Sequence, residues 1–265
     1  MNRRRFLGSC LAGAALASRV TRAAAVNDSS SNILLLGAST PPENAFPRHA
    51  IPALGELCSG ARRIFVIADA APPSDRDRQA ERIHAILEEA CGESVSTTAL
   101  HRLDDASARK ALRDADGVFV GGGQTFLLLR TLYDRGLLKP LRERVASGLP
   151  YAGSSAGSNI AGPVIGTTND FPVTDVPSRR SLGVFPAVIN PHHPPADHPD
   201  HAGRAGKILG YLEINPSEVV LGLGEAAMVR TANARISLIA GPGWIYRDGK
   251  AEAIEAGAEI GERLR

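Results

Sequence analysis

Short apolar runs alternate with amphipathic segments from residue 32 to the turn at 153–157. The runs at 32–37, 63–68 and 117–120 are almost wholly apolar, which is typical of strands buried on both faces of a parallel sheet. Segment 75–90 carries its polar and apolar side chains on opposite faces and predicts a helix. The same patterns predict further helices at 50–58, 106–114, 126–136 and 140–148, and further strands at 95–100 and 150–153.

The last third of the chain has a different pattern, with short apolar runs separated by Gly, Asn and Pro. It predicts strands at 187–190, 219–222, 228–231, 235–239 and 244–246. The whole pattern indicates an α/β fold with a mostly parallel, doubly wound sheet and helices on both faces. Ligands bind at the carboxyl ends of strands in such sheets, and the glycine-rich turns 121–123 and 153–157 lie at two of these ends.

Composition and charge narrow the possible functions. The chain has 265 residues, of which 43% are hydrophobic and 22% charged, so a disordered or fibrous protein is excluded. Residues 1–25 hold five arginines and no acid, and the remainder carries 25 basic and 28 acidic residues. A net charge of −3 argues against nucleic acid as a partner. No linker divides residues 26–265, which we expect to form a single domain.

Residues 1–25 have the pattern of an export signal. Paired arginines at 3–5 precede Phe6 and Leu7, a mildly apolar stretch follows, and residues 23–25 form an A-x-A cleavage site. The pattern resembles a twin-arginine signal, which implies the twin-arginine export machinery as a partner and a periplasmic or secreted protein. An uncleaved anchor is disfavoured because the apolar stretch is too short to span a bilayer, so no stable membrane association is expected after cleavage. A lipoprotein site at Cys10 is disfavoured because it falls too early in that stretch.

Only Cys58 and Cys91 remain after cleavage. Two cysteines do not make a disulfide framework, even where an oxidising compartment permits a bridge. We expect the two side chains to be buried separately.

Residues 153–157 fit the pattern G-x-S-x-G. In a nucleophile elbow the serine, here Ser155, sits on a sharp strand-to-helix turn, and the next backbone N–H, that of Ala156, points at the developing oxyanion. The pattern alone also fits an ordinary tight turn, because Gly, Ser and Ala are common in this chain. Its place between an apolar strand and a helix favours the elbow.

A serine nucleophile needs a base, and four of the seven histidines lie between residues 192 and 201. His192 directly follows a predicted strand, where a sheet presents catalytic groups. A metal site is the alternative for this cluster, but its prolines do not give the helical spacing of typical ligand pairs. We expect His193, His198 and His201 to lie in a solvated loop and His49, His84 and His101 to be surface residues; no metal and no cofactor is predicted.

Four motifs in order resemble the aspartyl dipeptidase (dipeptidase E) family of serine peptidases, family S51. They are VGGGQTFLLLR at 120–130, YAGSSAGSN at 151–159, TTNDFPV at 167–173 and FPAVINPH at 185–192. The resemblance runs from about residue 32 to the C-terminus, and cyanophycinases are more distant relatives. It implies a class I glutamine amidotransferase-like fold with a serine in place of the usual cysteine nucleophile.

The resemblance also implies roles for individual residues. Ser155 would be the nucleophile and His192 the general base. Either Glu225, just after a strand, or Asp170, in the Thr-Asn-Asp motif, would orient the histidine, with Glu225 preferred. The alternatives are a surface turn for Glu225 and a helix cap or turn for Asp170.

The remaining implied residues bind the oxyanion or the substrate. Backbone N–H groups of Gly122 or Gly123 and of Ala156 would form the oxyanion hole; the glycine run could otherwise be a plain turn or a phosphate cradle, although it lacks the residues of a P-loop. Arg204 would pair with the carboxylate of an N-terminal Asp, with Arg179 and Arg180 in reserve. Asn169 and Gln124 are further candidate substrate-binding residues.

The loop before Arg204 is about two residues shorter than in the family, and the polar residues that usually surround this arginine are absent. The predicted function is therefore a serine-type exopeptidase for small peptides, with Asp-Xaa dipeptides as the expected substrates. The alternatives are a cyanophycinase-like exopeptidase acting on Asp-Arg isopeptides and a non-catalytic periplasmic protein that binds peptides or metal.

Overall fold

A computed structural model describes residues 31–38 and 48–265. The predicted export signal at 1–25 and Cys10 lie outside the described residues. Eleven strands are found in the described part, namely β1 (Ile33–Leu36), β2 (Arg63–Ile67), β3 (Ser96–Ala99), β4 (Gly117–Val120), β5 (Tyr151–Ser154), β6 (Val188–Asn190), β7 (Val220–Leu223), β8 (Met228–Ala232), β9 (Arg235–Ala240), β10 (Gly243–Arg247) and β11 (Lys250–Ile254). The helices are α1 (Ile51–Leu57), α2 (Arg76–Cys91), α3 (Asp105–Asp114), α4 (Thr125–Asp134), α5 (Leu138–Ala146), α6 (Ala156–Ala161) and α7 (His201–Ile214).

The main sheet has seven strands in the order β3-β2-β4-β5-β1-β8-β9. The first five of these are parallel, and β8 and β9 extend the sheet antiparallel beyond β1. The connections from β2 to β3 and from β4 to β5 run in opposite directions across the sheet, so the strand order reverses between β2 and β4, as in doubly wound sheets. The carboxyl ends of β1, β4 and β5 therefore meet at one edge of the sheet.

Helices cover both faces of the main sheet. One buried cluster joins α1 and α2 to one face, with Leu54, Ile83 and Leu87 fully buried. A second buried cluster packs four helices, α3, α4, α5 and α6, against the other face, with Leu112 and Leu129 among its members. This two-sided packing explains why the parallel strands are apolar at nearly every position, and it confirms the predicted fold class.

A second sheet of four strands, in the order β11-β10-β7-β6, packs against α7. The patterns did not predict α7 and β11. Three glycines at 203, 206 and 210 weaken the helical signal of α7, and β11 is exposed at four of its five positions. Their stability comes from packing and strand pairing that a local pattern does not record.

Cys58 and Cys91 are free thiols in this structure. They are not buried separately as expected, since Cys91 packs against the buried cluster that contains Cys58. The hydrogen bond from the Cys58 thiol to Cys91, together with burial, raises the pKa of Cys58. Within the described ranges, no helix has the length and apolar character needed to cross a bilayer.

Candidate active site

The turn between β5 and α6 places Ser155 at the carboxyl edge of the main sheet. Its backbone has φ 49° and ψ −106°, a strained conformation for a residue with a side chain. The turn is tight because the neighbouring backbones touch: a Cβ on Gly157 would lie 2.2 Å from the Val120 carbonyl oxygen. Ser155 donates its backbone N–H to the Leu36 carbonyl at 3.1 Å, which ties the elbow to β1.

Ser155, His192 and Glu225 form one chain of hydrogen bonds. The Ser155 Oγ lies 2.7 Å from His192 Nε2, and His192 Nδ1 lies 2.5 Å from Glu225 Oε1. The carboxylate can only accept from Nδ1, so Nε2 is free to accept the serine proton. The serine is buried, whereas the Glu225 side chain is 68% exposed. The arrangement can therefore deprotonate a serine and stabilise the imidazolium that results.

Asp170, the other candidate acid, lies elsewhere in the site. Its Oδ2 accepts the Thr125 backbone N–H at 2.6 Å, at the first residue of α4. A carboxylate there satisfies an unpaired helix donor and interacts favourably with the positive end of the helix dipole. The structure thus brings Glu225 to His192 and uses Asp170 to hold the loop 167–173 against α4.

The candidate oxyanion donors lie on two loops at the same edge. Gly123 has φ 131°, and a Cβ there would lie 2.5 Å from the Ala70 carbonyl oxygen, so only glycine fits this turn. The backbone N–H of Gln124 binds that same carbonyl at 2.8 Å and closes the loop. Over residues 31–38 and 48–265, the backbone N–H groups of Gly122, Gly123 and Ala156 make no hydrogen bond, so they are available to an oxyanion.

Arg204, on α7, is half-buried behind the histidine. Its Nη1 lies 3.3 Å from the His192 carbonyl oxygen and 3.2 Å from Asn190 Oδ1. No carboxylate of the described residues forms an ion pair with it, and burial lowers its pKa. Its Nε and Nη2 donate no hydrogen bond within this part of the chain, so one edge of the guanidinium remains available.

The two other candidate substrate-binding residues, Asn169 and Gln124, differ in whether their polar atoms already have partners in the protein. Asn169 is engaged by the protein: its Nδ2 donates to the Pro191 carbonyl at 2.9 Å, and its Oδ1 accepts from Asn190 at 3.2 Å. Gln124 has a buried Oε1 without a partner among the described residues. Asn169 therefore holds the segment that carries His192, and the unpaired Gln124 Oε1 is buried within the protein, where a substrate does not reach it in this structure.

The prediction that His193 lies in a solvated loop is wrong, because its side chain is only 1% exposed. The ring stacks on Trp244 with centroids 4.3 Å apart, and its Nε2 lies 2.6 Å from the Tyr246 hydroxyl. The sequence held no signal for this, since both partners lie far along the chain in β10. The described residues contain no cluster of metal-ligating side chains.

Burial in this cluster is the main cause that lowers the pKa of His193 to about 4; the Pro194 carbonyl opposes the shift, and the nearby His201 and Arg204 add to it. Tyr246, which faces the same ring, has a pKa raised by burial to about 12 and stays neutral. The unfolded chain therefore binds a proton at His193 at a pH where the folded chain does not.

We expect His193 to make stability depend on pH. Its contribution is fully present above about pH 6.5 and is lost as the pH falls through about 4, up to about 3 kcal/mol in the free energy of unfolding. Urea unfolding of the wild type and of His193→Phe, at pH values from about 7.5 down to about 4.5, measures this. The wild type is expected to lose more stability than the variant; parallel curves would contradict the assignment.

A serine on a strand-to-helix elbow, hydrogen-bonded through a histidine to a carboxylate on an α/β scaffold, defines a serine hydrolase of the class I glutamine amidotransferase-like fold. The chain matches the family described as "Peptidase family S51" over residues 33–239. It is 36% identical over 235 residues to Peptidase E of Shewanella amazonensis, covering 87% of this chain and 98% of that protein. Peptidase E of Salmonella typhimurium is also 36% identical, covering 85% and 98%. The chain belongs to peptidase family S51.

Solved structures agree with this fold. A putative Peptidase E from Listeria monocytogenes superposes with a TM-score of 0.59 at 18% identity, covering 86% of this chain and 99% of that one. A peptidase from an acI-B1 actinobacterium gives 0.56 at 17% identity, covering 87% and 96%. They confirm the predicted fold, and the family match with the Peptidase E relatives confirms the predicted family and makes the protein a serine peptidase.

Proposed function

We propose that the protein hydrolyses dipeptides with an N-terminal Asp through an acyl-enzyme formed on Ser155. The observation that carries the proposal is the hydrogen-bond chain from Ser155 through His192 to Glu225, beside a half-buried Arg204 that lacks a carboxylate partner among the described residues. Relatives named Peptidase E at 36% identity support the same activity.

The proposed reaction has two stages. Ser155 Oγ attacks the peptide carbonyl carbon while His192 Nε2 takes the serine proton. The resulting oxyanion accepts hydrogen bonds from the backbone N–H groups of Ala156 and of Gly122 or Gly123. The C–N bond then breaks as His192 returns the proton to the leaving amine. A water molecule, deprotonated by His192, then attacks the ester carbonyl. The C–Oγ bond breaks, His192 returns the proton to Ser155, and the N-terminal residue leaves as a free acid. Glu225 holds the histidine in the tautomer that both stages need.

Arg204 supplies the proposed selectivity. A carboxylate can bind both Nε and Nη2 of a guanidinium in a fork, and this is the edge that the protein leaves unbonded. A positive subsite favours an acidic residue over the basic side chain that a cyanophycinase-like enzyme accepts.

The proposal is tested by cleavage of Asp-Leu, Asn-Leu, Leu-Leu and β-Asp-Arg, measured as kcat/KM with the chain from residue 26. We expect Asp-Leu to exceed Asn-Leu, which is nearly isosteric but neutral, by about 10²-fold or more, because Asn leaves the buried cation without an anion. In Arg204→Gln that ratio is expected to fall towards one, and taking the ratio cancels any effect of this variant on His192.

Three outcomes would contradict the proposal. Equal rates on Asp-Leu and Asn-Leu would remove the charge selectivity. Cleavage of β-Asp-Arg alone would make the enzyme cyanophycinase-like. No cleavage of any of the four would exclude the Asp-Xaa dipeptidase activity and favour a peptide-binding role on the same scaffold.

We also propose that the protein acts outside the cytoplasm. The support is the sequence of residues 1–25, with its paired arginines and its A-x-A cleavage site. Export would place the site among peptides of external or periplasmic origin.

A further inference from the structure

His192 and Glu225 both lie beyond the ends of paired strands. The parallel pairing of β6 with β7 ends where Asn190 lies opposite Gly222. Past that point, one backbone hydrogen bond joins the two segments, from the His193 N–H to the Leu223 carbonyl at 2.8 Å. The separation of the histidine and the carboxylate therefore depends on how the residue after His192 is held.

The backbone of His192 needs external support. Its φ is 54°, a left-handed conformation that a residue with a side chain keeps only when its surroundings enforce it. On one side, its N–H reaches the Gly37 carbonyl at 3.3 Å and its carbonyl accepts from Arg204. On its C-terminal side, the backbone is held by the hydrogen bond of His193 to Leu223 and by the contacts of the His193 ring.

The His193 ring is fixed by contacts on three sides. It lies over Gly222, where a Cβ would come within 2.7 Å of its Cδ2, and it stacks on Trp244. Its Nδ1 lies 2.9 Å from the Pro194 carbonyl, which can only accept, so Nδ1 carries the proton. Its Nε2 is then an acceptor, and the Tyr246 hydroxyl donates to it.

We propose that His193 and Tyr246 are a pair of positioning residues that hold His192 in line with Ser155 and Glu225. The inference rests on the proposed role of His192 as the base. Neither His193 nor Tyr246 contacts the reacting serine; each acts through the backbone of the 190–194 segment. The Tyr246 hydroxyl fixes the His193 ring, the ring fixes the backbone at 193, and that backbone fixes the preceding residue.

Tyr246→Phe tests the pair with the smallest change, because it removes one hydroxyl and leaves the ring in place. We expect kcat for Asp-Leu to fall about tenfold while KM stays within about twofold, since the buried His193 Nε2 loses its donor and the segment loosens. His193→Phe keeps the stacking on Trp244 and loses the same hydrogen bond, so it is expected to match Tyr246→Phe. The double variant should show no further loss, as for two residues acting through one contact.

Tyr133→Phe is the matched control. It also removes one tyrosine hydroxyl hydrogen bond, from Tyr133 to the Arg180 carbonyl at 2.9 Å, and it should leave kcat unchanged. Equal losses in Tyr133→Phe and Tyr246→Phe would overturn the proposal, as would an unchanged kcat in Tyr246→Phe.

A second readout does not depend on substrate. The proton between His192 Nδ1 and Glu225 should give a far-downfield proton NMR signal that is absent from Glu225→Gln. We expect this signal to shift or broaden in Tyr246→Phe and to be retained in Tyr133→Phe. An unchanged signal in Tyr246→Phe would refute the positioning role. Failure of the wild type to cleave Asp-Leu would instead refute the proposed substrate and leave this comparison intact.

Discussion

Ser155→Ala is expected to lower kcat/KM for Asp-Leu by about 10⁴-fold or more, because the variant has no atom that can form the acyl bond. What remains would come from oxyanion and substrate binding alone. The fold should be preserved, since the hydroxyl hydrogen-bonds only to His192 among the residues that the structure describes, and alanine bears the same strain at φ 49°. Initial rates, together with circular dichroism to check the fold, measure this.

Ser154→Ala is the control for Ser155→Ala. Ser154 is the preceding residue and is also buried, but its hydroxyl donates to the Ala38 carbonyl at 2.9 Å and not to the histidine. We expect a loss of about 1 kcal/mol in stability and less than about tenfold in rate. Near-normal turnover in Ser155→Ala would remove this serine from the mechanism.

Glu225→Gln is expected to lower kcat by about 10²-fold or more with little change in KM. The amide has no negative charge to stabilise the imidazolium, and its NH₂ group can favour the wrong histidine tautomer. Because the Glu225 side chain is 68% exposed, solvent screens part of its charge, and we expect a smaller effect than for a buried triad acid. Steady-state kinetics on Asp-Leu measure the split between kcat and KM.

Comparing Asp170→Asn with Glu225→Gln distinguishes the two candidate acids. It removes a charge from the start of α4, so we expect about 1 kcal/mol less stability and a kcat within about tenfold of the wild type. If Asp170→Asn lost more kcat than Glu225→Gln at equal folding, Asp170 would be the acid that serves His192, and the geometry described above would not be the active one.

Local patterns predicted most of the elements that place the nucleophile. The strand at 150–153, the G-x-S-x-G turn and the glycine run at 121–123 each have a local residue pattern that predicts them. A strained elbow needs small residues within two positions of the serine, and a strand buried on both faces needs an uninterrupted apolar run. Such requirements are visible in a single sequence.

The other features of the site depend on contacts between residues that are far apart in the chain. The choice between Glu225 and Asp170 depends on which segment ends opposite His192, and β6 and β7 pair although α7 and its flanking loops separate them in the chain. The local sequence predicts that His193 belongs to a polar, proline-rich loop, yet contacts with Trp244 and Tyr246 bury its ring.

By itself, the sequence determined the α/β fold, the elbow that carries Ser155 and the position of His192 at the end of a strand, because each depends on local backbone requirements. The tertiary structure alone decided which acid meets the histidine, that Arg204 and Asn169 support the His192 segment, and that His193 is buried, because each depends on a distance between residues far apart in the chain.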